Sequence, residues 1–179
     1  MNTVRIIGGS LRRRLLRFPD GEGLRPTPDR VRETLFNWLG QDLDGWRCLD
    51  LFAGSGALGF EAASRGAASV VMVEKMPRAL AALRENHEVL HKPPAVEIVG
   101  GDALQYLVSA KTKFDLIFVD PPYKNGWIER LEPLLPPALN EDGAIYVEAE
   151  YAIASLGGWR TTRRGRAGDV HFHLLRRPT

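Results

Sequence analysis

The sequence predicts an α/β protein with a mostly parallel β-sheet and helices packed on both of its faces. Short apolar runs alternate along the chain with amphipathic segments, which is typical of strand–helix–strand units in a doubly wound sheet. The stretch 48–66 shows this most clearly, because it opens apolar, turns through small residues at 53–56 and continues with helical periodicity. The apolar runs predict a seven-stranded main sheet with an antiparallel last strand. A small N-terminal β-hairpin and a helix are expected ahead of this core.

Each predicted element has its own local signal. The hairpin strands are residues 4–7 and 11–18 around a Gly-Gly turn, and Asp29 is placed to cap the helix that follows. Pro77 stands where proline is tolerated, in the first turn of a helix. The helices are expected at 30–39, 56–65, 77–90, 103–109 and 127–135, the parallel strands at 46–52, 69–73, 96–99, 114–119 and 144–148, and a closing antiparallel pair at 159–164 and 170–175.

Length and composition limit the class of protein. The chain has 179 residues, of which 44% are apolar and 26% charged, as expected for a globular protein with a sizeable core. No run approaches the ~20 apolar residues that a membrane-spanning helix needs. A single cysteine, Cys48, excludes an internal disulfide framework, so we expect a cytoplasmic protein with Cys48 in its core. We expect a single domain over residues 1–179, with an N-terminal arm at 1–28 and a catalytic core at 29–179.

Charge is distributed unevenly, although the net charge is only +2. Residues 1–32 contain eight arginines and three acids, and residues 157–179 contain six arginines and one acid. The middle of the chain contains ten basic and eighteen acidic residues. Basic ends on an acidic body suggest that the ends hold a polyanion, although two solvated basic surfaces would give the same composition. The candidate nucleic-acid-binding residues are Arg12, Arg13, Arg14, Arg17, Arg25, Arg163 and Arg164.

A glycine-rich loop follows the first central strand. Residues 54–59 read Gly-Ser-Gly-Ala-Leu-Gly between a strand and a helix, where such a loop brings the backbone close to a nucleotide-like cofactor. The open N–H groups of the helix's first turn point toward the same loop. The pattern alone does not identify the cofactor. The candidate cofactor-binding residues in and beside this loop are Asp50, Phe52, Ala53, Gly54, Ser55 and Gly56.

Four acidic residues, Asp50, Glu74, Asp102 and Asp120, stand at the carboxyl ends of predicted strands. Ligands of doubly wound sheets bind at this edge, so the four side chains should converge on one crevice. Glu74 follows the glycines by about twenty residues, where an acid accepts both ribose hydroxyls. Asp102 could accept from an adenine amino group beside the Ala103 N–H, and Asp50 could meet a cationic amine. An NAD enzyme and an S-adenosylmethionine enzyme are both compatible with this set.

The turn Asp120-Pro121-Pro122-Tyr123 separates these two possibilities. Its two prolines remove two N–H groups, so the turn presents carbonyl and carboxylate oxygens and few donors. Such a surface suits an –NH₂ substrate, because acceptors on the amine protons free the nitrogen lone pair for attack. Tyr123 can stack on a base drawn out of its helix. We therefore interpret these four residues as the candidate catalytic residues.

The segments 50–56 and 120–123 together resemble the amino-methylating class of S-adenosylmethionine-dependent methyltransferases, which have the Rossmann-like class I fold. More narrowly, the chain resembles the RsmD family of bacterial 16S rRNA guanine-N(2) methyltransferases over nearly its whole length. The segment 25–39, Arg-Pro-Thr-Pro-Asp-Arg-Val-Arg-Glu-Thr-Leu-Phe-Asn-Trp-Leu, is its most family-specific part. Leu11 and Arg13 depart from the aromatic residue and the glycine that are common in the hairpin of the family.

The resemblance implies S-adenosyl-L-methionine as cofactor and the 2-amino group of one guanine in 16S rRNA as methyl acceptor. The substrate would be the 30S subunit or an assembly intermediate, and the enzyme would be a monomer without a membrane partner. In this scheme Asp120 and the Pro121 carbonyl hold the amine, and Tyr123 stacks on the guanine.

Three alternatives remain open from the residues themselves. They are an adenine amino-methyltransferase acting on DNA or RNA, an NAD-binding oxidoreductase, and a non-catalytic ribosome-binding module. The first would need a surface that reads base edges, and the second would need a substrate domain. His171 and His173 alternate along a predicted strand and are expected at a surface or edge, so no metal site is predicted.

Overall fold

The computed structural model describes residues 2–21 and 26–179. The strands are β1 (Asn2–Arg5), β2 (Leu15–Phe18), β3 (Arg47–Asp50), β4 (Ser69–Glu74), β5 (Val96–Gly100), β6 (Phe114–Val119), β7 (Leu139–Ala149), β8 (Ser155–Leu156), β9 (Trp159–Ala167) and β10 (Val170–Arg176). The helices are α1 (Asp29–Leu39), α2 (Ala57–Ser64), α3 (Pro77–Val89), α4 (Ala103–Ser109), α5 (Trp127–Leu131) and α6 (Leu135–Ala138), with a 3₁₀ turn at Glu132–Leu134. Arg25 lies outside the described residues, so its predicted RNA contact stays a prediction.

Strands β3 to β10 form one mixed sheet in the order β5-β4-β3-β6-β7-β10-β9-β8. The first five strands of this order are parallel, and β10 is inserted antiparallel between β7 and β9. The predicted fold class is therefore confirmed, and the strand order reverses between β3 and β6, where such sheets bind ligands. The eighth strand, β8, was not predicted, because its two residues leave no apolar run in the sequence.

Alternate residues of the central strands face two separate hydrophobic clusters. Cys48, Met72 and Phe118 pack with α1, α2 and α3 on one face of the sheet. Leu49 and Ile117 pack with α4, α5 and α6 on the other. Because both faces are covered, these strands read as continuous apolar runs, which is why their positions were predictable. Cys48 is buried in the core, as expected.

An N-terminal hairpin is present as predicted, but its strands are shorter than the predicted 4–7 and 11–18, because residues 6–14 form the connection in place of a tight Gly-Gly turn. This connection is fixed on α2 by a buried carboxylate. Glu61 accepts hydrogen bonds from the backbone N–H groups of Ile7 and Gly8, each at 2.9 Å. The same carboxylate pairs with Arg32 of α1 at 3.1 Å and with Arg65 at 2.9 Å. The Arg32 and Glu61 side chains are fully buried. One side chain therefore joins the hairpin, α1 and α2.

The other side of the hairpin rests on α3. Asn86 accepts from the Arg17 N–H at 3.0 Å and donates to the Arg17 carbonyl at 2.9 Å, as a neighbouring strand would. The Arg14 guanidinium donates to the carbonyl of Val89, the last residue of α3, at 2.9 Å. Arg14 thus stabilises a helix C-terminus, a role that its interpretation as an RNA contact did not include.

Two local predictions on helices were wrong. Asp29 lies inside the first turn of α1 and pairs with Arg32, and Pro28 takes the N-cap position without a side-chain cap. The helix expected at 127–135 is divided into α5, the 3₁₀ turn and α6, because Pro133 and Pro136 lie at the second residue of the two later segments and lack the N–H group that would continue a helix. Among the described residues, no helix is both long and apolar enough to cross a membrane.

The expectation for His173 was also wrong, because its side chain is fully buried. The Ile153 N–H donates to His173 Nε2 at 3.0 Å, so the proton of the ring is on Nδ1, 3.1 Å from the Val147 carbonyl. Burial lowers the pKa of this imidazole. His173 is therefore a neutral, hydrogen-bonded core residue.

Replacing Glu61 by glutamine should strongly destabilise the fold. The change leaves the buried Arg65 guanidinium without its carboxylate and leaves Arg32 with only the exposed carboxylate of Asp29. Breaking a buried ion pair from one side costs about 3–5 kcal/mol, and we expect a loss of this size in the free energy of unfolding measured in urea. Glu85→Gln, on the exposed face of α3, is the matched control. Equal values for the two variants would contradict the role of Glu61.

Candidate active site at the carboxyl edge of the sheet

The glycine loop between β3 and α2 has one face open for a ligand. Gly54 has φ +55°, and a Cβ built there would meet only the Phe52 carbonyl oxygen at 4.0 Å. Gly56 has φ +85°, and a Cβ there would come within 2.6 Å of the Phe60 ring and 2.7 Å of Leu83. Gly54 therefore lets a ligand approach the backbone, whereas Gly56 lets α2 pack closely.

Glu74, at the end of β4, shapes this loop. One carboxylate oxygen accepts from the Gly54 N–H at 2.8 Å, and the other accepts from the Met76 N–H at 2.9 Å. The sequence did not predict this loop-holding role. Each oxygen keeps a second lone pair with which it could accept from a ribose hydroxyl, so the ribose contact stays a prediction.

Other predicted cofactor residues also have a structural role. Asp102 caps α4, because its carboxylate accepts from the Gln105 N–H at 3.1 Å, and Ala103 is buried as the first residue of that helix. The Ser55 hydroxyl accepts from the Ala57 N–H at 3.2 Å. Phe52 is partly buried and packs edge-on against Trp127, with ring centroids 5.2 Å apart. These hydrogen bonds and this aromatic contact hold the residues of the predicted cofactor site in a fixed conformation.

Asp50 differs from these residues because one of its oxygens has no hydrogen-bond partner. The side chain is 1% exposed, and within the described ranges nothing bonds to Oδ1. Burial, together with the nearby charges of Glu74 and Glu148, raises the pKa of Asp50 to about 7, although the N–H groups of Phe52 and Gly59 favour its charged form. An unpartnered buried acceptor beside an open glycine loop fits a ligand that carries a positive charge or a hydrogen-bond donor.

Asp120 directly follows β6, the strand next to β3, and its carboxyl group contacts that of Glu148. β6 and β7 are parallel with Val119 opposite Val147, so residues 120 and 148 stand side by side as the next pair. Burial and the adjacent Glu148 raise the pKa of Asp120 well above its usual range. Glu148 is 5% exposed, and the Thr27 hydroxyl donates to its Oε2 at 2.9 Å.

Glu148, Tyr146 and Thr27 were absent from the predicted site. Glu148 could have been predicted from the sequence, because it stands at the carboxyl end of the strand expected at 144–148. Asp50, Glu74, Asp102 and Asp120 were predicted from the same kind of position. Tyr146 is fully buried near Glu148, and its hydroxyl makes no hydrogen bond of ordinary geometry with the part of the chain that the structure describes. Thr27 reaches the site only through the fold, because more than a hundred residues separate it from Glu148 in the sequence.

A cleft of about 300 Å³ opens beside the carboxyl pair. Pro121 is buried in its wall, whereas Pro122 is exposed and Tyr123 is 41% exposed. Three aromatic side chains and Glu148 share the lining. The lining residues include Pro121, Pro122, Tyr123, Trp127, Glu148 and Tyr151. In the described ranges, no group of three or more His, Cys, Asp or Glu side chains could hold a metal ion.

The predicted RNA-binding arginines fall into two groups. Arg12 and Arg13 are exposed in the connection between β1 and β2, and Arg17 is exposed on β2. Arg163 and Arg164 are exposed on β9, whose neighbour β8 covers only the first residues of that strand. The sequence therefore placed these arginines at the surface correctly, whereas their contact with RNA stays a prediction.

Comparison with known proteins identifies the family. The model of a family described as conserved hypothetical protein 95 matches residues 4–176. Ribosomal RNA small subunit methyltransferase D of Escherichia coli is 41% identical in an alignment that covers 97% of this chain and 90% of the relative. The chain belongs to the RsmD family. The Haemophilus influenzae protein of the same name is 38% identical and covers 96% of this chain and 92% of the relative.

A solved structure agrees with this RsmD assignment. The Escherichia coli protein yhhF has 40% sequence identity and a TM-score of 0.88, covering 99% of this chain and 100% of that chain. Membership in the RsmD family makes the chain an S-adenosylmethionine-dependent methyltransferase with a Rossmann-like fold. The NAD-binding oxidoreductase and the non-catalytic module are thereby excluded.

The raised pKa of Asp50 predicts a pH-dependent stability of the cofactor-free protein. An acid whose pKa rises from 3.8 to about 7 on folding binds its proton more tightly in the folded state. The free energy of unfolding should therefore fall as pH rises through this range. Asp50→Asn should reduce that fall and make the protein more stable than wild type above pH ~7.

Urea unfolding at a series of pH values measures this effect. The exposed Asp142→Asn serves as control and should keep the wild-type slope. If the free energy of unfolding of Asp50→Asn depended on pH as steeply as that of the wild type, Asp50 would not have a raised pKa in the folded protein.

Proposed function

We propose that this RsmD-family chain transfers the methyl group of S-adenosylmethionine to the 2-amino group of one guanine in 16S rRNA. One observation carries the assignment to an amine. The turn Asp120-Pro121-Pro122-Tyr123 follows β6 directly beside β3, whose end leads into the open glycine loop. We further propose that the enzyme acts as a cytoplasmic monomer on the 30S subunit or an assembly intermediate.

The residues around the glycine loop fit the cofactor in chemistry. Residues 52–56 would hold it along the open face of Gly54, and Glu74 would accept its ribose hydroxyls. Asp102 and the Ala103 N–H would bind the adenine ring, and Asp50 would meet the cationic amine. The bound cofactor supplies an electrophilic methyl group on a sulfonium.

The turn would position the guanine amine for attack. Pro121 and Pro122 have no N–H groups to compete for acceptors, so Asp120 and the Pro121 carbonyl would accept from the two amine protons. Holding the amine in line with the methyl group lowers the entropic part of the barrier. The partly exposed Tyr123 would stack on the guanine within the aromatic cleft.

The acidic edge of the sheet repels RNA, so the basic surfaces would supply the attraction. The N-terminal arm, residues 1–28, presents Arg12, Arg13 and Arg17, and β9 presents Arg163 and Arg164. Arginine forks bind phosphate groups well. We propose that these two surfaces hold the rRNA while the flipped guanine enters the cleft.

Methyl-labelled S-adenosylmethionine tests the function directly. Unmethylated 30S subunits and naked 16S rRNA would be incubated with the enzyme, digested to nucleosides and analysed by mass spectrometry. Labelled N(2)-methylguanosine is the expected product. Labelled N6-methyladenosine, in RNA or in a parallel reaction with DNA, would instead establish the adenine methyltransferase alternative.

Asp120→Ala should lower kcat by about 100-fold or more, because an acceptor is removed from the transition state. The Kd for S-adenosylmethionine, measured by calorimetry, should change little, since the loop and Glu74 are untouched. Asp169→Ala, an exposed change between β9 and β10, is the control. Near-normal turnover of Asp120→Ala would remove Asp120 from the mechanism.

Arg12→Gln/Arg13→Gln should weaken 30S binding and reduce the slope of log K against log salt by roughly one to two. Arg14 is left intact because it stabilises α3. Arg47→Gln/Lys111→Gln removes the same charge from the amino edge of the sheet and should leave the slope unchanged. Identical slopes for the two double variants would place the RNA on another surface.

A further inference from the structure

We propose that Glu148 is a positioning residue for Asp120, in which the two carboxyl groups share one proton and Thr27 fixes the pair. This inference rests on the proposed function, because it assigns a task to the neighbour of the amine-binding Asp120. It adds a second carboxyl group and a threonine to the transfer site.

The geometry brings the two side chains together from different strands. Val119 and Val147 are paired in register, so Asp120 and Glu148 follow them as neighbours at the carboxyl edge. Their carboxyl groups are within hydrogen-bonding reach of each other. Two ionised carboxylates within hydrogen-bonding reach repel each other, so a hydrogen bond between them requires that one of them be protonated.

Among the described residues, the titratable groups that act on the pair are Asp50 from β3 and Tyr146 from β7, and both are acids. Lys124 of the turn lines the cleft together with Glu148, but its side chain is exposed. Burial raises the pKa of both members of the pair, and the charges of Glu148 and Asp50 raise the pKa of Asp120 further. The pair therefore holds its last proton to a higher pH than an isolated carboxyl group does, and it titrates as a unit.

Thr27 gives the pair its orientation. Its hydroxyl donates to Glu148 Oε2 at 2.9 Å, and its own carbonyl accepts from the buried Arg32 Nε at 3.2 Å. This hydrogen bond stabilises the charged form of Glu148. The shared proton therefore resides on the Asp120 oxygen that faces Glu148, and the other oxygen of Asp120 is free to accept from the amine.

Substitutions of Glu148 and of Thr27 should change the titration of the Asp120–Glu148 carboxyl pair in different ways. Glu148→Gln removes the like charge, so the upper titration step of the pair should disappear and Asp120 should titrate at lower pH. Thr27→Val keeps the shape of threonine but loses the donor, so the lower step should move to higher pH. Thr27→Ser restores the hydroxyl and should behave as wild type.

Two measurements test the proposal. Carboxyl ¹³C NMR of the cofactor-free protein follows the titration without any activity. Single-turnover methyl transfer across pH should show the same shifts, and Glu148→Ala should lower the rate by about 100-fold with little change in the KM for 30S subunits. Glu141→Gln, exposed at the other end of β7, is the control.

Unchanged titration in both Glu148→Gln and Thr27→Val would overturn the proposal, as would a Glu148→Ala rate within about threefold of wild type. A wild-type enzyme that methylates no guanine would instead overturn the proposed function. In that case the NMR titration alone decides whether the carboxyl pair exists.

Discussion

The buried carboxylate of Glu61 is the interaction on which the arrangement of the other elements depends. A buried charge must be paired, and Glu61 is satisfied by Arg32, Arg65 and the N–H groups of Ile7 and Gly8. Because α2 begins directly after the glycine loop, the same carboxylate ties that loop's helix to α1 and to the N-terminal hairpin. The basic surface of the hairpin is therefore held at a fixed position relative to the cofactor loop.

The ion pair also reaches the catalytic edge through the start of α1. Arg32 donates to the Thr27 carbonyl, and the Thr27 hydroxyl donates to Glu148 beside Asp120. The segment that precedes α1 is thus shared by the scaffold and the site. Residues that are far from the strand-end motifs in sequence therefore contact the carboxyl edge of the sheet in the fold.

The sequence predicted those parts of the fold and site that depend on local pattern. Buried parallel strands leave continuous apolar runs, and the residue at the end of each run lies at the carboxyl edge of the sheet, where the structure places Asp50 and Asp120. The rest depends on pairing between distant segments. The insertion of β10 between β7 and β9 buried His173, and packing of the chain before α1 against β7 brought Thr27 to Glu148. Neither the burial of His173 nor the Thr27–Glu148 hydrogen bond can be predicted from the residues that flank it in the sequence.

The site separates into two parts with opposite electrostatic character. Glu74 and Asp102 each accept backbone N–H groups, so the cofactor loop is already organised and little ordering is needed on binding. Asp50, Asp120 and Glu148 instead accumulate negative charge in a buried place, which raises their pKa values and costs stability. In the proposed mechanism, a cationic cofactor and an amine donor relieve that cost when they bind. The instability of the acidic edge in the free protein would then contribute to affinity and to orientation at the reacting atoms.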